Sequence, residues 1–435
     1  MWLFYLFNNM DSFTHTKQKG RCNLSSIQRT VRMLKKIIIY FINGLLLFST
    51  FIGLLLVWVN YDIKAGREAA EAGSQPHTYP IRNSNFGLYT DWKTFYPQFS
   101  KDILEAKEYV YIHYFSIGSG EASEKFFDLL KKKANQGVEV YYSVDRAGSL
   151  KGKNDWFDEL RKAGVHITYS NDPHFPHIWY SIQHRNHRRI AVIDGKIGYT
   201  GGLNVAQKYT KNTWHDYQIR MTGEGVQDFE QQFCEDWKVN TGNSPPIHKV
   251  DLEKGETNHY LKVYSSGFGL VEDFIQEFDA AKKQIIIATP YFIPDNRDFM
   301  DALKRARKRD VEVIIMWPKH SDGLMLTQAA YPFVREALEN GMKVYQYDKG
   351  IFHGKVVLVD YERLMTGTVN IDSRSFRLND EMTLFMKSSP FSQTVQKQLD
   401  VDLGDSKEIK LDYFDNLKMK DKILMKIAKC VHYYL

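Results

Sequence analysis

The chain has 435 residues and 50.8 kDa, with 43% hydrophobic and 25% charged residues, so a disordered chain is excluded and two ordinary domains fit. Its three cysteines, Cys22, Cys234 and Cys430, show no paired or metal-type spacing, which argues against a disulfide framework and a zinc site. The net charge of +6 sits at the ends, with +6 in residues 1–36 and +4 in the last twenty, leaving the body 37–415 at −4. Such a body is a poor electrostatic match to a nucleic-acid backbone, and no nucleic-acid partner is expected.

In chain order, residues 1–36 read as a basic tail, with Met33 as an alternative start. Residues 37–59 (IIIYFINGLLLFSTFIGLLLVWV) run 23 residues without a charge, enough to cross a bilayer as one helix. Trp58 and Tyr61 suit an interfacial belt. A cleaved signal peptide is the less favoured reading, because no small-residue cleavage pattern follows directly. Basic residues precede the span and nearly balanced charges follow it, so the positive-inside rule puts the N-terminus in the cytoplasm and the body outside.

The body alternates helix and strand patterns, and the pattern occurs twice. Ile103-Leu104-Glu105-Ala106-Lys107 before an apolar run at 109–115 answers to Phe278-Asp279-Ala280-Ala281-Lys282 before 285–291. Gly137-Val138-Glu139-Val140, after a Lys-rich helix at 125–134, answers to Asp310-Val311-Glu312-Val313 after a helix at 299–308. Ala163-Gly164-Val165 answers to Asn340-Gly341-Met342, a helix C-cap glycine and a strand start. Pro245-Pro246 marks the joint, giving halves 60–248 and 249–415. Residues 416–435, with Lys418, Lys420, Lys422, Lys426 and Lys429 among Leu417, Ile423, Leu424, Ile427 and Val431, read as a basic amphipathic helix on anionic lipid.

The chemistry lies in one motif present in both halves. His187-Arg188-Arg189-Ile190-Ala191-Val192-Ile193-Asp194, then Gly201-Gly202-Leu203-Asn204, recurs 166 residues later as His353-Gly354-Lys355-Val356-Val357-Leu358-Val359-Asp360, then Gly367-Thr368-Val369-Asn370. Strand periodicity puts His187 with Arg189, and His353 with Lys355, on one face. A histidine beside a cation suits a phosphoryl group: the cation neutralises its oxygens, and the imidazole attacks or protonates. Asn204 and Asn370 add amide donors for the same oxygens.

These residues resemble the phospholipase D superfamily, whose signature is His-x-Lys-x4-Asp followed by Gly-Gly or Gly-Ser and Asn. More closely, the chain resembles bacterial cardiolipin synthases of the shorter type with one N-terminal span. Thr289-Pro290-Tyr291-Phe292-Ile293-Pro294-Asp295 and Asn370-Ile371-Asp372-Ser373-Arg374-Ser375-Phe376-Arg377-Leu378-Asn379 carry the same likeness, which extends from about residue 85 to near the C-terminus. The resemblance implies two α/β/α sandwich halves related by a pseudo-two-fold axis, after a transmembrane helix. It implies chemistry without metal, nucleotide or other cofactor. One histidine attacks the phosphodiester of phosphatidylglycerol, glycerol leaves, and the phosphatidyl-histidine passes to the hydroxyl of a second phosphatidylglycerol. By analogy His187 is the nucleophile and His353 the acid and base; the residues alone allow the reverse. Arg189, Asp194, Lys355 and Asp360 complete the expected catalytic set. Asp216, 29 residues after His187, and Glu381, 28 after His353, are expected to orient the imidazoles. The alternatives are a hydrolase, a transferase to another alcohol, or a lipid-binding homologue weakened by Arg189 where the family has Lys. A nuclease fits poorly with the anchor and the acidic body.

Overall fold

The computed structural model describes residues 24–73, 75–150, 154–323, 325–387 and 389–431. The chain divides into two compact units, 1–61 and 62–435. A helix runs from Leu24 to Gly73, so residues 24–36 belong to it and not to the expected tail; residues 1–23 lie outside the described residues. At 50 residues the helix is roughly 75 Å long, well beyond a bilayer core. By length and composition it can cross a membrane, and Ile37, Phe41, Leu47 and Leu54 on it are exposed.

In the second unit, β1 (Arg82–Tyr89), β2 (Tyr109–Tyr114), β3 (Glu139–Asp145), β4 (His166–Ser170), β5 (Ile190–Ile193), β6 (Ile197–Gly201) and β7 (Gln218–Gly223) form the first half. The second half repeats them as β8 (Thr257–Tyr264), β9 (Gln284–Ala288), β10 (Glu312–Pro318), β11 (Lys343–Tyr347), β12 (Val356–Val359), β13 (Arg363–Gly367) and β14 (Asn379–Lys387). The spatial order is β4-β3-β2-β5-β6-β7-β1 in one half and β11-β10-β9-β12-β13-β14-β8 in the other. β2–β4 and β9–β11 are parallel, and the other neighbours are antiparallel. β1 and β8 then pair antiparallel, Ser84 opposite Thr257, so the halves join edge to edge. The halves are therefore not separate compact units.

Three apolar cores hold this arrangement. Phe99, Phe126 and Leu130 pack on one face of the first half, and Phe278, Phe299 and Leu303 do the same in the second. The third core is shared: Phe229, Phe233 and Trp237 of helix Val226–Thr241 and Phe391, Val395 and Leu399 of helix Pro390–Gly404 cover the opposite face of both halves. β5 (IAVI) and β12 (VVLV) are apolar throughout because both their faces are covered. The C-terminal segment forms a helix, Met419–Val431, with Met419, Ile423 and Ile427 exposed along one side and Ala428 buried.

Candidate active site

His187 and His353 stand three residues before β5 and β12. Just upstream, each half makes a short parallel bridge to the other: Arg185 and Asn186 lie beside Asn379 and Asp380, and Ile351 and Phe352 beside Trp214 and His215. The bridges run on into the histidines. The His187 N–H donates to the Asp380 carbonyl at 3.0 Å, and the His353 N–H to that of His215 at 2.7 Å.

The next residue on each partner segment is a carboxylate, so the two acids are exchanged between halves. His187 Nδ1 lies 2.8 Å from Glu381, and His353 Nδ1 lies 2.7 Å from Asp216. Each bond fixes the proton on Nδ1 and leaves Nε2 for chemistry. Glu381 is itself held by the hydroxyls of Thr368 (2.6 Å) and Ser375 (2.8 Å). Asp216 accepts the Tyr217 N–H (2.8 Å) and the Trp214 indole (3.3 Å). Gly202 makes room for it, since a Cβ there would fall 2.1 Å from Asp216 Oδ1. At the matching position of the second motif Thr368 instead supplies a donor to the acid.

The cations follow the strand period. Arg189 donates to the His187 carbonyl at 2.8 Å and places Nη2 3.0 Å from His187 Nε2. Lys355 donates to the His353 carbonyl at 2.8 Å and lies 3.3 Å from His353 Nε2. Arg189 thus takes up the station that Lys355 holds in the other copy. Burial lowers the pKa of Lys355 to about 8. Burial, with Arg189 and Lys355 nearby, brings His187 down to about 4 against the pull of Glu381. His353 is also lowered by burial and Lys355, but two carboxylates, Asp216 and Asp322, oppose the shift.

His187, Arg189, Asn204, His353 and Asn370 line one cavity of about 240 Å³. Asn204 accepts the Ser116 N–H at 3.0 Å and donates to the Tyr209 hydroxyl at 3.2 Å. Lys208, Tyr209, Tyr291, Asp322, Asp372 and Arg374 also line the cavity and were not assigned from the sequence. Only Tyr291, Asp372 and Arg374 carried a signal, since they fall in segments that bear the family likeness. Asp372 caps helix Ser373–Arg377 by accepting the Ser375 N–H at 2.7 Å, and burial raises its pKa to about 6. Among the described residues, no group of three or more His, Cys, Asp or Glu is placed to hold a metal ion.

The motif aspartates, expected in the catalytic set, stand apart from the cavity. Asp194 accepts the backbone N–H groups of Lys107, Glu108 and Tyr109 at 2.8–2.9 Å, and Asp360 those of Lys282, Lys283 and Gln284 at 2.6–3.2 Å. Neither lines the cavity. Each ties the start of β2 or β9 to the far end of the histidine strand, from a backbone at positive φ (49° and 55°).

The family model described as "Cardiolipin synthase, PLD-like domain" matches twice, at residues 99–237 and 274–403. The minor cardiolipin synthase ClsB of Bacillus subtilis (strain 168) is 32% identical over 404 residues, covering 91% of this chain and 99% of that protein. A cardiolipin synthase of Alkalihalophilus pseudofirmus is 31% identical over 369 residues, covering 80% of this chain and 71% of its own. Among solved structures, the phosphatidylserine synthase of Haemophilus influenzae Rd KW20 superposes with a TM-score of 0.63 at 15% identity, covering 85% of this chain and 100% of that one. It shares the fold. On the double family match and the relative covered over 99% of its length, the chain belongs to the phospholipase D-like cardiolipin synthase family.

Proposed function

We propose that this protein transfers a phosphatidyl group between two phosphatidylglycerol molecules, giving cardiolipin and glycerol. The observation that carries the reading is the pair of exchanged histidine–carboxylate contacts facing one cavity lined by cations. His187 Nε2 attacks phosphorus while His353 protonates the departing glycerol oxygen. In the second step His353 takes the proton from the incoming hydroxyl, which displaces His187. The environments favour this division: burial and two cations hold His187 neutral against one carboxylate, whereas for His353 two carboxylates oppose the lowering by burial and Lys355. Arg189, Lys355, Asn204 and Asn370 bind the non-bridging oxygens. Arg189 Nε is buried with no partner among the described residues, a donor suited to a phosphate oxygen. That argues against a homologue weakened by Arg189.

The reaction exchanges one phosphodiester for another, so it needs no nucleotide and suits the outer face of a membrane. On this reading the helix at 24–73 anchors the chain with its N-terminus in the cytoplasm. Helix Met419–Val431 rests on anionic lipid through Met419, Ile423 and Ile427 and the lysines beside them. The test is full-length protein with phosphatidylglycerol vesicles, without nucleotide or divalent ion. Cardiolipin and glycerol should form in equal amounts, and His187→Ala and His353→Ala should abolish both. Phosphatidate as the sole product would make the protein a hydrolase.

A further inference from the structure

Two carboxylates line a cavity that otherwise suits a phosphate: Asp372 is engaged as a helix cap, which leaves Asp322. Asp322 lies between β10 and the helix Leu326–Glu339, with its side chain 17% exposed. Tyr291 donates its hydroxyl to one carboxylate oxygen, and Lys208 donates to the other at 3.2 Å. Lys208 is steered there by the rings of Tyr209 and Trp214, each 4.9 Å from its ammonium. Burial opposes ionisation of Asp322, but His353, Lys208 and the Tyr291 hydroxyl outweigh it and bring the pKa to about 2. A permanent carboxylate repels a phosphodiester and attracts hydroxyl donors. With one bond on each oxygen, about two acceptor positions remain.

From this placement we infer that Asp322 is the binding group for the free hydroxyls of a glycerol headgroup, and so selects a polyol as leaving group and as acceptor. The inference rests on the phosphatidyl-transfer reading above. The cavity is then polarised: phosphate sits against Arg189 and the two histidines, and the glycerol lies toward Asp322 on the His353 side. A double displacement brings the acceptor in where the first alcohol left, so one carboxylate serves both half-reactions. The primary hydroxyl that reacts gives its proton to His353, while a neighbouring hydroxyl donates to Asp322 and holds the acceptor in line. Water and monohydric alcohols lack that second hydroxyl.

The test offers phosphatidylglycerol vesicles, full-length protein and equal concentrations of propane-1,2-diol and 1-propanol, which differ by the one hydroxyl in question. Wild type should favour the diol about tenfold or more, the scale of a hydrogen bond to a charged group. Asp322→Ala should bring that ratio close to one and raise phosphatidate relative to cardiolipin, and the isosteric Asp322→Asn should fall between. The ratio is the readout because loss of the charge also acts on His353 and slows every product together. Wild type that makes cardiolipin but uses both alcohols equally overturns the role of Asp322 alone. The same holds for variants that lose both products in parallel at an unchanged ratio. Wild type that yields only phosphatidate overturns the transfer reading as well.

Discussion

Asp216 belongs to the first half by sequence but to the histidine of the second half by contact, and this makes a sharp prediction for Asp216→Asn. The substitution keeps the size of the side chain and removes the charge 2.7 Å from His353 Nδ1. Burial already disfavours the imidazolium, so His353 loses the nearer of the two carboxylates that help it hold a proton. If His353 is the general acid, phosphatidyl transfer from phosphatidylglycerol should fall about 10²–10⁴-fold, the range general acid catalysis supplies. A phosphatidyl ester of p-nitrophenol needs no protonation to leave. With it, Asp216→Asn and His353→Ala should recover the burst of p-nitrophenol that reports phosphatidyl-histidine formation. Glu381→Gln, which disables His187, should not. Single-turnover kinetics with that ester on each variant is the assay. Rescue of Glu381→Gln but not Asp216→Asn would make His187 the acid. Grouping of Asp216→Asn with His187→Ala would refute the exchange of carboxylates between halves.

Arg189→Lys should keep kcat within about tenfold, because either cation reaches the histidine carbonyl and Nε2. Arg189→Ala should lose more than about 100-fold as two bonds by a charged donor disappear. Stability should fall on the acid side: His187 has a folded pKa of about 4 against 6.5 unfolded, so the unfolded chain takes up the proton first. The neutral-imidazole contribution is complete above about pH 6.5 and is lost as pH drops toward 4, about 3 kcal/mol at most. Chemical denaturation at pH 7 and pH 5 measures it, and equal midpoints would contradict the buried neutral histidine. Asp194→Ala should lower Tm while leaving the kcat of the folded fraction near wild type, since three backbone N–H groups lose their acceptor and no catalytic contact changes. Ile423→Asp with Ile427→Asp should weaken flotation of residues 62–435 with anionic vesicles, provided circular dichroism shows that this fragment folds; unchanged flotation would remove the C-terminal helix from the membrane contact.

Much of the site was legible because strand geometry is local. A period of two puts His187 with Arg189 and His353 with Lys355, and their repetition at one offset marked both as functional. The same geometry sets Asp194 and Asp360 apart from the cavity. At about 3.3 Å per residue, seven residues of extended chain carry each roughly 20 Å from its histidine, so proximity in the motif was not proximity in space. Lys208 and Tyr209 sit on a single 3-10 turn, Gln207–Thr210, and Asp322 on a loop, where no periodicity announces which way a side chain faces.

The amino-acid order by itself determined the duplicated α/β units, the apolar helix near the N-terminus, and a histidine and a cation on one face in each half. These follow from backbone stereochemistry and burial pattern acting over a few residues. Only the tertiary structure decided that Glu381 serves His187 and Asp216 serves His353. That pairing depends on two short parallel bridges between segments separated by 194 and 137 residues. Such contacts form only when the β1–β8 seam and the shared core bring the halves together, and no local spacing encodes them.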